Sequence, residues 1–347
     1  MEKFNNNILS AIGNTPIVRI NKMASQVTSP IYAKLEYMNP GGSVKDRMGV
    51  YICQKAVEEK KINPGGTFIE GTSGNTGVGI AMYCLTHDYN ALFVLADKQS
   101  RDKINNLKAF GANVVICPTD VEPEDERSYY SVSARLAKEV PNSFYLNQYS
   151  NLNNQLCHYE QTGPEIWQQT EGDFDTFIAT VGTGGTISGI AKYLKEKKPN
   201  IKIVGVDAKG SILAHYHKTG EIIPAHSYVI EGFGEDFIPE NVDFSLIDDF
   251  IILEDEECIV ATRELLQYEG IYSGGSSGGA ILGAIKYAQK LSTPERILTL
   301  LPDSGNRYAS KIYNDDWIKE KNYSLPKKES NLDEILNSIC KDGVFYE

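Results

Sequence analysis

Short apolar runs alternate with helical patterns along nearly the whole chain, and this rhythm limits its fold more than any other feature. Ile17–Ile20, Ile31–Tyr37, Thr67–Glu70, Ala91–Leu95, Val114–Cys117, Phe144–Leu146, Phe177–Val181, Lys202–Val206, Phe250–Leu253, Ile271-Tyr272 and Ile297–Leu301 read as strands. Between them the spacing predicts helices near 45–60, 77–87, 100–110, 127–139, 153–169, 186–196, 256–268 and 276–290. Strands that alternate with helices build parallel sheets covered on both faces, so the class expected is α/β. A chain of 347 residues exceeds the usual size of one core, and two subdomains are expected.

Charge and composition narrow the function. A net charge of −12 argues against a nucleic-acid-binding surface. There is no apolar run long enough to span a bilayer, and Met1-Glu2-Lys3-Phe4-Asn5 does not begin a signal peptide. Cys53, Cys84, Cys117, Cys157, Cys258 and Cys340 are scattered with no Cys-x-x-Cys pair, which points to reduced thiols and a cytoplasmic location. The histidines form no ligand pattern, and no metal is expected.

Ligands of α/β proteins bind outside the carboxyl ends of strands, and four strand-to-helix turns here carry unusual chemistry. In Asn39-Pro40-Gly41-Gly42-Ser43-Val44-Lys45-Asp46-Arg47, Ser43 is a candidate N-cap and Lys45 falls in the first helical turn. The positive end of the helix dipole eases such a lysine toward the neutral amine that forms Schiff bases with aldehydes. A lone lysine is more often a solvated surface residue. The turn Thr72-Ser73-Gly74-Asn75-Thr76-Gly77 offers hydroxyls, an amide and N–H groups suited to a carboxylate. Gly182-Thr183-Gly184-Gly185-Thr186 can turn its N–H groups inward as a phosphate cup. Gly274-Gly275-Ser276-Ser277 opens a fourth helix. Glycine-rich turns mostly just reverse the chain. A dinucleotide site is the rival for the third: Gly182-x-Gly184 starts that fingerprint but Ile187 breaks it, and Asp207 stands where a ribose-binding acid would.

Taken together, Gly13-Asn14-Thr15-Pro16, Pro40–Arg47, Thr72–Gly77, Gly182–Thr186 and Gly274–Ser277 resemble, in order and spacing, the tryptophan-synthase-β fold (fold type II) of pyridoxal-phosphate enzymes. The likeness runs from about Ile8 to Trp317 and is closest to the cysteine synthase and cystathionine β-synthase family, in particular bacterial cystathionine β-synthase cores. It implies two subdomains, each with a twisted, mostly parallel sheet flanked by helices. Residues 1–11 with 40–150 would form the smaller, mobile one, residues 12–39 with 151–320 the larger, and 321–347 a tail. Leu332, Ile335, Leu336 and Ile339 in that tail have helical spacing. By the resemblance Lys45 carries pyridoxal phosphate as a Schiff base, and Asn75 bonds the cofactor's phenolic oxygen. Gly182, Thr183, Gly184, Gly185 and Thr186 hold its phosphate, Ser276 faces the pyridine nitrogen, and Pro302 completes the cofactor site. Thr72, Ser73, Gly74, Asn75, Thr76 and Gln148 receive the substrate amino acid. A homodimer is implied as well.

The implied reaction is β-replacement through an aminoacrylate. Asp97–Lys103 with Lys98 and Lys103, the segment Val206–Leu213, Glu231–Pro239 and Leu301–Ser304 resemble cystathionine synthases, which join serine to homocysteine. Cysteine synthases, which use O-acetylserine and sulfide, share His158-Tyr159-Glu160 and Thr162–Trp167. A third kind joins phosphoserine to an amine and would need a cation such as Lys98, Lys209 or Arg101 near the leaving group. Outside enzymes, the alternative is a scaffold or ligand sensor on the same fold. Retention of Lys45 beside a full phosphate turn argues against it.

Overall fold

The computed structural model describes residues 6–72, 74–97, 99, 101–121 and 125–325. Ser73, Lys98 and the apolar positions of the tail lie outside the described residues. The smaller sheet holds β3 (Thr67–Gly71), β4 (Asn90–Ala96), β5 (Asn113–Cys117) and β6 (Ser143–Tyr145), ordered β5-β4-β3-β6 and parallel throughout. The larger holds β1 (Ile17–Ile20), β2 (Ile31–Leu35), β7 (Thr176–Thr180), β8 (Lys202–Ala208), β9 (Asp249–Leu253) and β10 (Ile297–Leu301). Its order is β1-β2-β10-β7-β8-β9, parallel except for the antiparallel edge pair β1–β2. Every residue of β10 is buried, as expected of a strand covered on both faces.

Helices α1 (Lys45–Glu58), α2 (Asn75–His87), α3 (Arg101–Ala109) and α4 (Tyr129–Glu139) accompany the smaller sheet. Helices α5 (Asn153–Cys157), α6 (Gly163–Thr170), α7 (Gly185–Lys197), α8 (Leu213–Thr219), α9 (Asp255–Glu269), α10 (Gly275–Gln289) and α11 (Asp315–Glu320) follow in the chain. One core gathers Met48, Ile52, Phe68, Ile80, Phe93 and Leu95 around the smaller sheet. Another packs Ile187, Ile190 and Leu194 of α7 on Phe177, Ile203 and Leu300. A third lies under α9 and α10, with Leu265, Ile281 and Ile285 against Ile251 and Ile297. The two-sheet α/β architecture expected from the sequence is the one found.

α1 and α2 cross with almost no space between them. A methyl group at Gly79 would stand 2.9 Å from the Lys45 carbonyl oxygen, and one at Gly49 3.1 Å from the Ile80 nitrogen. These glycines bring the start of α1 against α2.

Two elements differ from expectation. Ile271-Tyr272 is no strand; only Ser273 makes an isolated bridge, to Ser304, because the chain is already turning into α10. The long helix expected over 153–169 is broken by a π-helical turn, His158–Thr162. There His158 is fully buried and its ring bonds Thr162 Oγ1 at 2.9 Å. Among the described residues no helix is long and apolar enough to cross a membrane. Cys53, Cys84, Cys117, Cys157 and Cys258 are free, buried thiols.

Candidate active site

Lys45 opens α1 on the wall of a cavity of about 660 Å³ where the two sheets' loops meet. Ser43 Oγ accepts the Lys45 backbone N–H at 3.2 Å, the contact expected of it, although the helix begins with Val44 in the cap position. Lys45 Nζ lies 3.3 Å from Thr183 Oγ1, so the first and third turns meet. Desolvation lowers the lysine to about 8 against the pull of Glu235, Glu70 and Asp303. The helix dipole expected to ease Lys45 toward the neutral amine is secondary; the dominant cause is enclosure by protein.

The third turn is shaped by glycine. Gly184 has φ of 84° and precedes α7, whose first turn has no side-chain cap. A methyl group at Gly184 would overlap Val242, and one at Gly185 would overlap Asn154. Free N–H groups at a helix start backed by tight glycines form an anion seat. Thr183 Oγ1 also accepts a bond from Asn154 Nδ2 at 3.1 Å, and Thr186 Oγ1 is 3.1 Å from His158 Nε2. Burial, with Arg47 and Lys45 near, holds His158 well below its ordinary value and therefore neutral.

Gly182, Thr183, Gly184, Thr186, Ser276, Pro302, Asn75, Thr76 and Gln148 all line the cavity with Lys45. Gly185 stands behind the turn. Thr76 Oγ1 donates to Gln148 Oε1 at 2.7 Å, joining the second turn to the end of β6. Thr72 and Gly74 do not line the cavity: Thr72 Oγ1 accepts the Gly74 N–H at 3.0 Å, bracing the loop from within. Asn75 reaches the cavity, but its amide is engaged at both ends, donating to Asp303 Oδ2 at 2.8 Å and accepting from Arg307. Arg307 also donates to the Gly41 carbonyl, so one guanidinium ties the first two turns together.

Several of these groups had no signal in the sequence. Arg307, Asn154 and Glu70 reach the site only through contacts far apart in the chain. Glu70, fully enclosed, is pushed up to about 8 by burial, and among the described residues its Oε2 has no hydrogen-bond partner. Other candidates fall away. Asp207, the ribose-binding alternative, is buried, does not line the cavity, and accepts the N–H groups of Ala208 at 3.0 Å and Ala214 at 2.8 Å, which ties both oxygens to the backbone. Lys209 is exposed and pairs with Glu254 outside the cavity. Arg101 is exposed at the start of α3.

Residues 8–303 match the family model described as pyridoxal-phosphate dependent enzyme. The chain is 42% identical to the cystathionine beta-synthase of Apis mellifera over 327 residues, covering 94% of this chain and 64% of that protein. It is 38% identical to cysteine synthase 1 of Neurospora crassa, over 91% of this chain and 85% of that one. Thus the chain spans a little under two thirds of the honeybee relative's length. Among solved structures, the O-acetylserine dependent cystathionine beta-synthase of Helicobacter pylori matches with a TM-score of 0.81 and 38% identity, over 90% of this chain and 99% of that one. A hydrogen sulfide-producing enzyme of Fusobacterium nucleatum matches with a TM-score of 0.81 and 35% identity, over 88% of this chain and all of that one.

The residues present suit the cofactor. An uncapped helix start provides an anion seat, a lysine held near 8 lies 3.3 Å from that turn, and the Ser276 hydroxyl lies on the same cavity wall system. By sequence and by fold, the chain belongs to the cysteine synthase and cystathionine β-synthase family of fold-type II enzymes, whose cofactor is pyridoxal phosphate.

Proposed function

We propose that the chain catalyses β-replacement on L-serine or an activated serine, condensing it with homocysteine to give cystathionine. One observation carries the choice of second substrate. Beyond Lys45 the cavity continues along residues 225–236 to Glu231, Glu235, Asp236 and Lys311, leaving room and polar groups, among them the Glu231–Lys311 ion pair at 2.6 Å, for a second amino acid. Sulfide would need neither. Lys209, placed outside the cavity, removes one cation from the phosphoserine alternative.

Pyridoxal phosphate, when bound, supplies an electron sink next to the substrate's Cα. The N–H groups of Gly182–Thr186 would hold its phosphate, and Asn75 and Pro302 would flank its ring. In the second turn Ser73 and Thr76, together with Gln148, would grip the substrate carboxylate and fix Cα beside Lys45, with Thr72 and Gly74 bracing the loop. Lys45 Nζ would take the Cα proton; a value near 8 leaves a usable fraction of the amine neutral at pH 7. Ser276 would present a neutral hydroxyl to the ring nitrogen, a donor that cannot hold a proton there as a carboxylate would. Ser276→Asp is expected to keep the cofactor bound yet lower kcat tenfold or more, a barrier increase of about 1.4 kcal/mol. Unchanged kcat in steady-state assays would refute that role.

The reading extends to a cytoplasmic homodimer and to the subdomain boundaries drawn above; light scattering should return twice the chain's 38.5 kDa. The deciding experiment is stopped-flow absorbance with L-serine, O-acetylserine and O-phosphoserine in turn, followed by homocysteine or sulfide. Turnover of serine discharged by homocysteine supports the cystathionine reading. The Helicobacter relative, described as O-acetylserine dependent, gives a specific reason to include the acetylated substrate. Reaction with only an activated serine and sulfide would make the enzyme a cysteine synthase.

A further inference from the structure

β-Replacement on serine moves more protons than Lys45 can serve at once. Lys45 takes the proton from Cα, while the departing hydroxyl needs a proton and the incoming thiol must lose one. Residues 230–236 bring Glu231, Glu235 and Asp236 to the cavity, and of these Glu235 is the one whose charge acts on Lys45. Gly234 N–H donates to the Val181 carbonyl at 2.8 Å, which lays the segment across the end of β7. A methyl group at Gly232 would lie 3.5 Å from Ser276 Oγ, and one at Gly182 would lie 3.7 Å from Glu235 Oε1. The Glu235 backbone is pinned at both ends, its N–H donating to Ser211 Oγ at 3.0 Å and its carbonyl accepting the Ile212 N–H at 3.0 Å. Its carboxyl group lines the cavity and accepts the Tyr149 hydroxyl, and among charged groups it acts most strongly on Lys45.

We propose that Glu235 is a second catalytic acid–base, working at the substrate's Cβ. As the acid it gives its proton to the departing hydroxyl, which leaves as water as the C–O bond breaks. The carboxylate so formed takes the proton of the attacking thiol as the C–S bond forms. Serine and thiol become thioether and water, and Glu235 ends in the state in which it began. Enclosure, with Asp236 beside it, raises Glu235 to about 8 against the pull of Lys45, so the acid form prevails at pH 7. Tyr149 and Asp207 also face it, and Tyr129, Tyr130 and Tyr228 stand within its field. This role rests on the β-replacement reading above.

The leaving group provides the test. Acetate departs without a proton, so Glu235→Gln should slow the first half-reaction of L-serine by about 10²-fold and that of O-acetylserine by less than about tenfold. Two controls are read without turnover. Cofactor affinity should match the wild type, and a cofactor-free protein with ¹³C-labelled glutamate carboxyls should lose one of its resonances titrating near pH 8. In the wild type, the first half-reaction of serine should fall as pH rises through about 8, because the acid form is lost, while O-acetylserine shows no such limb. That profile decides the matter even if the variant does not fold. Equal losses on both substrates, or the same falling limb for both in the wild type, would overturn the role of Glu235 and leave the β-replacement reading standing. Failure of wild-type enzyme to turn over either substrate would instead overturn the reading beneath it.

Discussion

Lys45→Ala is expected to reduce kcat by at least about 10³-fold while the protein remains folded, because in the proposed reaction the lysine supplies both the cofactor's covalent anchor and the base for the Cα proton. Stopped-flow turnover with the best serine donor measures the loss, and near-UV circular dichroism checks the fold. In the cofactor-free protein, burial brings Lys45 from its ordinary 10.5 to about 8. Between those values the unfolded chain binds more protons than the folded one, so stability rises with pH across that interval. Lys45→Ala should remove that rise, which urea titrations at pH 8 and 10 would register. A variant with ordinary turnover would sink the assignment of Lys45.

Arg47→Ala is expected to destabilise the fold by about 3–5 kcal/mol, the usual cost of leaving a buried charge without its partner. Arg47 Nε lies 2.7 Å from Glu36 Oε2, and its Nη1 lies 2.7 Å from Glu165 Oε2. Lys34 Nζ bonds the other Glu165 oxygen at 2.5 Å, and Thr15 Oγ1 donates to Glu36 Oε1 at 2.6 Å. Thr15, Glu36 just after β2, α1 and α6 are tied through this one guanidinium. Arg47→Lys should recover only part of the loss, because an ammonium cannot serve both carboxylates in the fork geometry. Burial alone would raise Glu165, but Arg47 and Lys34 outweigh it and hold the group near 2. Its contribution is therefore complete above the ordinary 4.5 and fades as pH falls through about 2. Calorimetry of both variants at pH 7 measures the cost; a loss under 1 kcal/mol would show the network to be dispensable. Arg47 sits two residues after Lys45, so this anchor also fixes the direction from which Lys45 enters the cavity.

The sequence by itself determined the alternation of strands and helices and the four turns, because both depend on local properties. A run such as Ile297–Leu301 declares a strand buried on two faces. The glycines of 182–185 declare a backbone that must turn sharply into a helix, and Gly184 takes the left-handed φ that other residues resist. The side chains expected at the cofactor site are largely those that converge on the cavity. Gly13-Asn14-Thr15-Pro16 was visible as a motif, but its purpose was not: Thr15 supports Glu36, and Gly13 N–H donates to Asn39 Oδ1 at 2.8 Å. Only the tertiary structure decided which polar groups meet. Arg307 finds Asn75 and Gly41 across more than two hundred residues, and Asn154 finds Thr183. Glu235 becomes the strongest charge acting on Lys45. Desolvation and charge coupling depend on what surrounds a group in space, and no local pattern encodes those surroundings.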